Sequence, residues 1–203
     1  SSKLRPGMEI FSFSEIEFVQ GKSYKTLTDA ISIKKFNNLK KNLKRLAISY
    51  KISEILDILI KGEEPDKKVW FLIKETFEKL DNLKIPIYNL KIIYYYFFWN
   101  LVSILGYRPQ LHFCPICQKK LKPEKLYFSS GEGGIICKDC AIKIKGAKEI
   151  KPEIVKILRK IIERNWEILS KIKNINKYFK QLELISKDYF EFLSEKKNDI
   201  MGI

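Results

Sequence analysis

The sequence predicts a multidomain α+β chain: a short pair of strands, then a mainly α-helical domain with an inserted four-cysteine module. Three observations carry this. Apolar residues alternate with roughly period two over residues 8–19, and a β-branched run follows over 24–33. From Leu39 the period becomes helical. All four cysteines fall in two pairs, Cys114-x-x-Cys117 and Cys137-x-x-Cys140, within a stretch punctuated by Gly106, Pro115, Pro123 and Gly131. The expected divisions are 1–35 for the strands, 36–110 for the first helical part, 111–140 for the module and 141–203 for the second helical part.

Two strands do not make a stable sheet alone, so the pair at 8–33 needs partners in this chain, in another chain or upstream of Ser1. Leu39, Leu43, Leu46, Ala47 and Tyr50 begin a helical face expected to run to about Ile60, where Gly62 and Pro65 stop it. Asp66 is placed to cap a second helix with Val69, Leu72, Ile73, Thr76, Phe77 and Leu80 on one side. Pro86 precedes a third helix, over about 87–105, whose aromatic run at 94–99 surrounds the helix and predicts burial rather than base stacking. After Pro152, a stripe including Ile154, Leu158, Ile161 and Leu169 predicts another helix. Phe179, Leu182, Ile185, Tyr189 and Leu193 mark a last one over about 176–196.

Composition limits the chemistry. With 45% hydrophobic and 13% aromatic residues the chain can build a core, and disorder is not expected. A single histidine, His112, disfavours histidine-dependent triads and histidine-rich catalytic metal centres. No Gly-rich phosphate loop is present. Glu63, Glu64 and Asp66 read as caps and surface; an enzyme would need them to converge with Asp139 or Asp188 around a metal. A non-catalytic binding protein is the more economical expectation. Residues 90–105 are interrupted by Lys91 and Asn100 and fall short of the roughly 20 apolar residues of a membrane span. With no secretory signal segment, the cysteines point to an intracellular metal site in a soluble, cytoplasmic protein with no membrane partner.

Each Cys-x-x-Cys turn can direct two sulfurs at one ion, so Cys114, Cys117, Cys137 and Cys140 are expected to hold a structural Zn2+ in a closed tetrahedron. Iron is the alternative metal; disulfides and unligated cysteines remain as other readings. His112 would serve only if a cysteine were displaced. Four thiolates and one divalent ion would lower the formal charge of +15 only to about +13.

That charge comes from 39 Lys and Arg against 24 Asp and Glu, and all but five of the basic residues are lysines. It favours a polyanion partner, although a general lysine bias would produce part of the excess. Lys34, Lys35, Lys40, Lys41, Lys44 and Arg45 form an acid-free segment, in which Lys40 with Lys44 and Lys41 with Arg45 would make two adjacent helical ridges. Lys119 and Lys120 add charge on the cysteine module. These eight are the candidate DNA-binding residues; the competing reading is a solvated lysine face.

The order of features resembles the zinc-bearing members of the RecO family of bacterial DNA repair and recombination mediators. The resemblance runs from Ser2-Lys3-Leu4 and Phe11-Ser12 through Leu27-Thr28-Asp29-Ala30 and Leu46-Ala47. It continues through Leu105-Gly106-Tyr107 before Cys114-Pro115-x-Cys117, then Gly134-Ile135-Ile136-Cys137-x-x-Cys140. It implies that the strands at 8–33 are the C-terminal part of an OB-fold barrel whose first half lies upstream of Ser1. It implies single- and double-stranded DNA as ligands, annealing of complementary strands, contacts with RecR and SSB, functional coupling to RecA, and association with the bacterial nucleoid. One departure is Tyr96-Phe97-Phe98, where family members often carry Arg-Phe-Glu; this weakens any basic contact there for the acidic SSB tail. The alternative function is a zinc-stabilised protein-interaction adaptor without direct DNA binding.

Overall fold

The computed structural model describes residues 8–62 and 64–201; Ser2-Lys3-Leu4 and Glu63, both used above, lie outside the described residues. The chain opens with an antiparallel hairpin, β1 (Ser12–Gln20) and β2 (Lys25–Lys35), in which Ser12 faces Lys35 and Gln20 faces Lys25. Irregularities at Phe13/Ser14 and Glu17/Phe18 break its register. At the turn, the Gly21 amide donates to the Tyr24 carbonyl at 3.0 Å, and a Cβ on residue 21 would lie 2.8 Å from that oxygen. The base of the hairpin is anchored by aromatic contacts. Phe13 lies 5.0 Å from Phe36 and 4.7 Å from Trp70 between ring centroids, and Phe11 lies 5.0 Å from Tyr50. Beyond that base, Ile16, Phe18, Ile31 and Ile33 are exposed.

The expected OB-fold barrel is not formed. Among the described residues there is one two-stranded sheet and one three-stranded sheet, and neither closes. The reason is topological: among the described residues β1 and β2 pair only with each other as strands, whereas an OB-fold barrel needs five strands. The architecture is a β-hairpin attached to a helical body that carries a small β-containing cysteine module.

The helix expected to start at Leu39 is two helices, α1 (Asn37–Lys40) and α2 (Leu43–Leu59). Between them Asn42 is extended, and its side-chain oxygen accepts from the Lys44 and Arg45 amides at 3.1 and 3.2 Å, a strong N-cap that restarts the helix. The restart changes which face is inward. Arg45, Ser49, Ile52, Ile55 and Leu59 are buried, while Leu43 and Tyr50, expected inside, are exposed. In α3 (Lys67–Asp81), Asp66 accepts from the Lys68 and Val69 amides at 2.7 and 3.2 Å, and Val69, Leu72, Thr76, Phe77 and Leu80 are buried as their spacing predicts.

A single 3-10 turn (Ile87–Asn89) leads into α4 (Leu90–Ile104), the central helix, which packs against α2, α3 and the later helices α6 (Pro152–Ile162) and α8 (Asn176–Met201). Its aromatic run is core: residues 95–99 are all buried. The polar side-chain atoms of Tyr96 and Trp99 find partners, which offsets the cost of burying them. Tyr96 donates to Glu75 at 2.8 Å, Trp99 to Ser186 at 3.0 Å, and the neighbouring Asn100 amide to the Tyr96 and Ile161 carbonyls at 2.8 and 2.9 Å. The stripe expected after Pro152 is interrupted at Arg164 (φ 55), so Leu169 belongs to a separate short helix, α7 (Trp166–Ser170). No helix among the described residues is long and apolar enough to cross a membrane.

Candidate metal centre and basic surface

Between α4 and α6 the chain builds the module from two local structures. The first is a tight turn. The Cys114 amide donates to Lys119 and the Gln118 amide to Cys114, both at 2.9 Å, with Gln118 in the left-handed region at φ 59. Phe113 pairs with Lys120 across this turn, and Leu121 donates to the His112 carbonyl at 2.9 Å. The second is a three-stranded antiparallel sheet, β3 (Leu126–Ser129), β4 (Gly134–Cys137) and β5 (Lys148–Ile150), in the order β4-β3-β5. Cys137 ends β4 and starts the one-turn helix α5 (Lys138–Ala141), which brings Cys140 back toward it.

The four sulfur atoms lie within 4.8 Å of one another. Cys117 and Cys137 Sγ are 3.7 Å apart, far beyond a disulfide bond of about 2.05 Å. A tetrahedron with metal–sulfur bonds of about 2.3 Å has an edge of about 3.8 Å, so the cluster has the dimensions of a four-thiolate metal site. Burial raises the Cys114 thiol pKa, but amides of Cys117, Cys137 and Ile116 outweigh it and bring the value down to about 7. Cys140 is pushed up to about 12, first by burial and then by the other thiols crowding it. The backbone amides around Cys114 thus favour its thiolate, the form that ligates a metal. His112 is exposed and outside this group, the only set of three or more His, Cys, Asp or Glu residues with metal-binding geometry among the described residues.

The module is fixed to the helical body at several points. Residue 110 runs across β4, with the Gln110 amide on Gly133 at 2.9 Å and the Ile135 amide on Gln110 at 2.8 Å. A Cβ on Gly134 would lie 2.3 Å from the Gln110 carbonyl oxygen, so only glycine fits. From α6, Arg159 donates through Nε and Nη2 to the Leu111 carbonyl at 3.0 and 2.5 Å. From α8, the Asp188 carboxylate receives the Ser130 hydroxyl and the Lys148 ammonium, and Tyr189 donates to the Tyr107 carbonyl at 3.0 Å. The structure thus uses Asp188 to tie module to helix, and does not bring it together with Asp139 in a metal-binding group. The sequence reading missed the roles of Gly134 and Arg159; Gly133-Gly134 was the one visible signal of a close backbone approach.

The eight candidate DNA contacts fall into three groups. Lys34 pairs with Glu78 at 2.7 Å, and Lys35 and Lys40 both pair with Glu9, at 2.6 and 3.0 Å. Arg45 is only 2% exposed and donates to the carbonyls of Leu80, Asn82 and Ile85 at 2.5, 3.1 and 2.9 Å. It closes the C-terminal end of α3 and has no face left for a phosphate. The ridges expected along one helix are also absent, because Lys40 and Lys41 precede the break at Asn42. Lys41, Lys44, Lys119 and Lys120 are exposed and make no ion pair among the described residues.

The class this defines is a mainly helical body carrying a four-cysteine cluster of metal-site dimensions, with surface lysines that make no ion pair among the described residues. The comparisons give its family. The profile described as "Recombination protein O C terminal" matches residues 40–199. The chain is 31% identical over 196 residues to the DNA repair protein RecO of Dehalococcoides mccartyi, covering 97% of this chain and 76% of that protein. It is 32% identical over 154 residues to the DNA repair protein RecO of Caldanaerobacter subterraneus, covering 75% and 60%. With that of Desulforamulus reducens it shares 26% over 199 residues, covering 97% and 75%. The chain belongs to the RecO family.

Proposed function

We propose that the chain is a non-catalytic DNA repair and recombination mediator that binds single- and double-stranded DNA, anneals complementary strands and helps load a recombinase onto SSB-coated single strands. The observation that carries the reading is the set of exposed cations without an ion pair among the described residues on a chain of this family, above all at the start of α2. Lys44 stands in the first turn of that helix with no acid beside it, where the macrodipole already favours an anion. A lysine there costs stability, on the order of 0.3–1 kcal/mol, and a phosphate would reverse the sign of that interaction. Neutralised phosphates let two strands approach while their bases remain free to pair.

Zn2+ held by Cys114, Cys117, Cys137 and Cys140 suits the donor set, and its chemistry there is structural, since four thiolates leave no position for water. Residues 36–110 and 141–203 are read as halves of one helical domain around this module. RecR and SSB are the expected protein partners, with functional coupling to RecA, in the cytoplasm and at the nucleoid. An SSB tail would need a basic site other than Tyr96-Phe97-Phe98, which is buried.

The test is DNA affinity across a salt series for the wild type and the double variant Lys41→Gln/Lys44→Gln. The wild type should lose affinity linearly in log salt, and the variant slope should be shallower by about 2, one per lost phosphate contact. Identical slopes would remove these lysines from the interface. The exposed apolar residues Ile16, Phe18, Ile31 and Ile33 favour the second reading, a protein-interaction adaptor. Salt-insensitive binding to a protein partner with no retention on DNA would establish it instead.

A further inference from the structure

The cysteine turn carries an exposed aromatic ring at an unusual place. Phe113 immediately precedes the first metal-site cysteine and is 44% exposed, and Ile116 at the tip of the same turn is 42% exposed. Neither can fold inward without dismantling the turn, because Cys114 and Cys117 occupy its inner side and Phe113 is held opposite Lys120 by a backbone bridge. The ring is therefore presented on a rigid support.

The charges around it have one dominant sign. Lys120 is its cross-strand neighbour, the Lys119 carbonyl receives the Cys114 amide, and the exposed Arg108 precedes it in the chain. Arg159 reaches the same corner through its bonds to the Leu111 carbonyl. Glu163, one turn on from Arg159, is paired with Lys160 at 2.6 Å. Arg108, Lys119 and Lys120 have no ion-pair partner among the described residues.

We infer that this corner is a single-strand nucleic-acid contact in which Phe113 stacks on an unpaired base while Arg108, Lys119 and Lys120 hold the flanking phosphates. The inference rests on the DNA-binding reading above. A ring beside cations suits a single strand, whose bases offer free faces; a duplex keeps its bases stacked and presents only phosphates. A metal bound by four thiolates would add a net charge of about −2 nearby, offsetting part of the cation field. Stacking then carries the larger share, and the site should discriminate strands more than it adds general affinity. A protein partner would need complementary acids as well as an apolar pocket, and is treated as an outcome of the test.

The experiment measures binding of the metal-loaded chain to labelled oligothymidine of about 30 nucleotides and to a duplex of equal length, for the wild type, Phe113→Ala and Phe113→Trp. Phe113→Ala should weaken single-strand binding about fivefold or more and leave duplex binding within about twofold, with metal content and melting temperature unchanged. Phe113→Trp should retain single-strand affinity, with its added indole emission quenched on oligothymidine. Lys119→Gln/Lys120→Gln should weaken both ligands and flatten the salt slope by about 2. Equal effects of Phe113→Ala on both ligands, no effect on either, or an effect confined to a protein partner would overturn the stacking site. A wild type that binds neither ligand would instead overturn the DNA-binding reading on which it depends.

Discussion

The cysteine module and the N-terminal hairpin are both small β structures attached to the helical body, yet they are held in different ways. The module has three strands, four converging sulfurs and fixed points on both α6 and α8 through Arg159, Asp188 and Tyr189. The hairpin has two strands, is gripped near its base by Phe11, Phe13 and the Lys34–Glu78 ion pair, and leaves Ile16, Phe18, Ile31 and Ile33 exposed. The contrast teaches that a hydrogen-bonded ladder alone does not organise so small a sheet; cross-links or a covering layer must do so. In the module, four sulfurs gathered at metal-site dimensions are placed to supply such a cross-link.

The largest effect should come from removing that cross-link. Cys114→Ser replaces the buried thiol whose pKa the backbone amides lower, and bound metal should fall from one equivalent to near zero. Limited proteolysis should then cut within residues 111–150 while the helical core resists. Retained metal at full occupancy would break the comparison.

Gly134→Ala comes next. Its Cβ would meet the Gln110 backbone at 2.3 Å, and backbone cannot swing away as a side chain can. The expected cost is about 2–4 kcal/mol in urea unfolding, together with weaker metal retention. Arg45→Met should cost a similar or slightly smaller amount, about 2–3 kcal/mol, since three carbonyls at the end of α3 lose their donor. It should leave metal content and the DNA affinity of the folded protein unchanged, which separates a structural arginine from a phosphate contact.

Phe13→Ala should be the mildest, about 1–3 kcal/mol at most, because its ring is only partly buried. Its signature is local: amide exchange in β1 and β2 should accelerate while β3 and β4 remain protected. Equal acceleration in both sheets would show that the hairpin and module share one cooperative unit.

How much of this was legible from sequence varied with the range of the interaction. In α3, the cap at Asp66 and the spacing of Val69, Leu72, Thr76, Phe77 and Leu80 are local signals, and they led to the right helix and face. The convergence of the two Cys-x-x-Cys pairs was equally plain, because short spacings confine where the sulfurs can lie, and the structure gathers all four within 4.8 Å. Arg45 was misplaced on the surface because its partners are carbonyls 35 to 40 residues away, and a carbonyl leaves no mark in sequence. That also rotated the predicted face of α2, since a buried arginine breaks an apolar pattern. The barrel was expected from family resemblance rather than from the strands, which among the described residues pair only with each other.

The central claim is that this chain handles DNA by charge and does so without catalysis. Its most direct test is the rate at which the full chain anneals two complementary labelled strands, with no nucleotide cofactor, as salt is raised. The account predicts acceleration over the protein-free rate that decays steeply with salt and is reduced in Lys41→Gln/Lys44→Gln. Protein-free rates at low salt would contradict it.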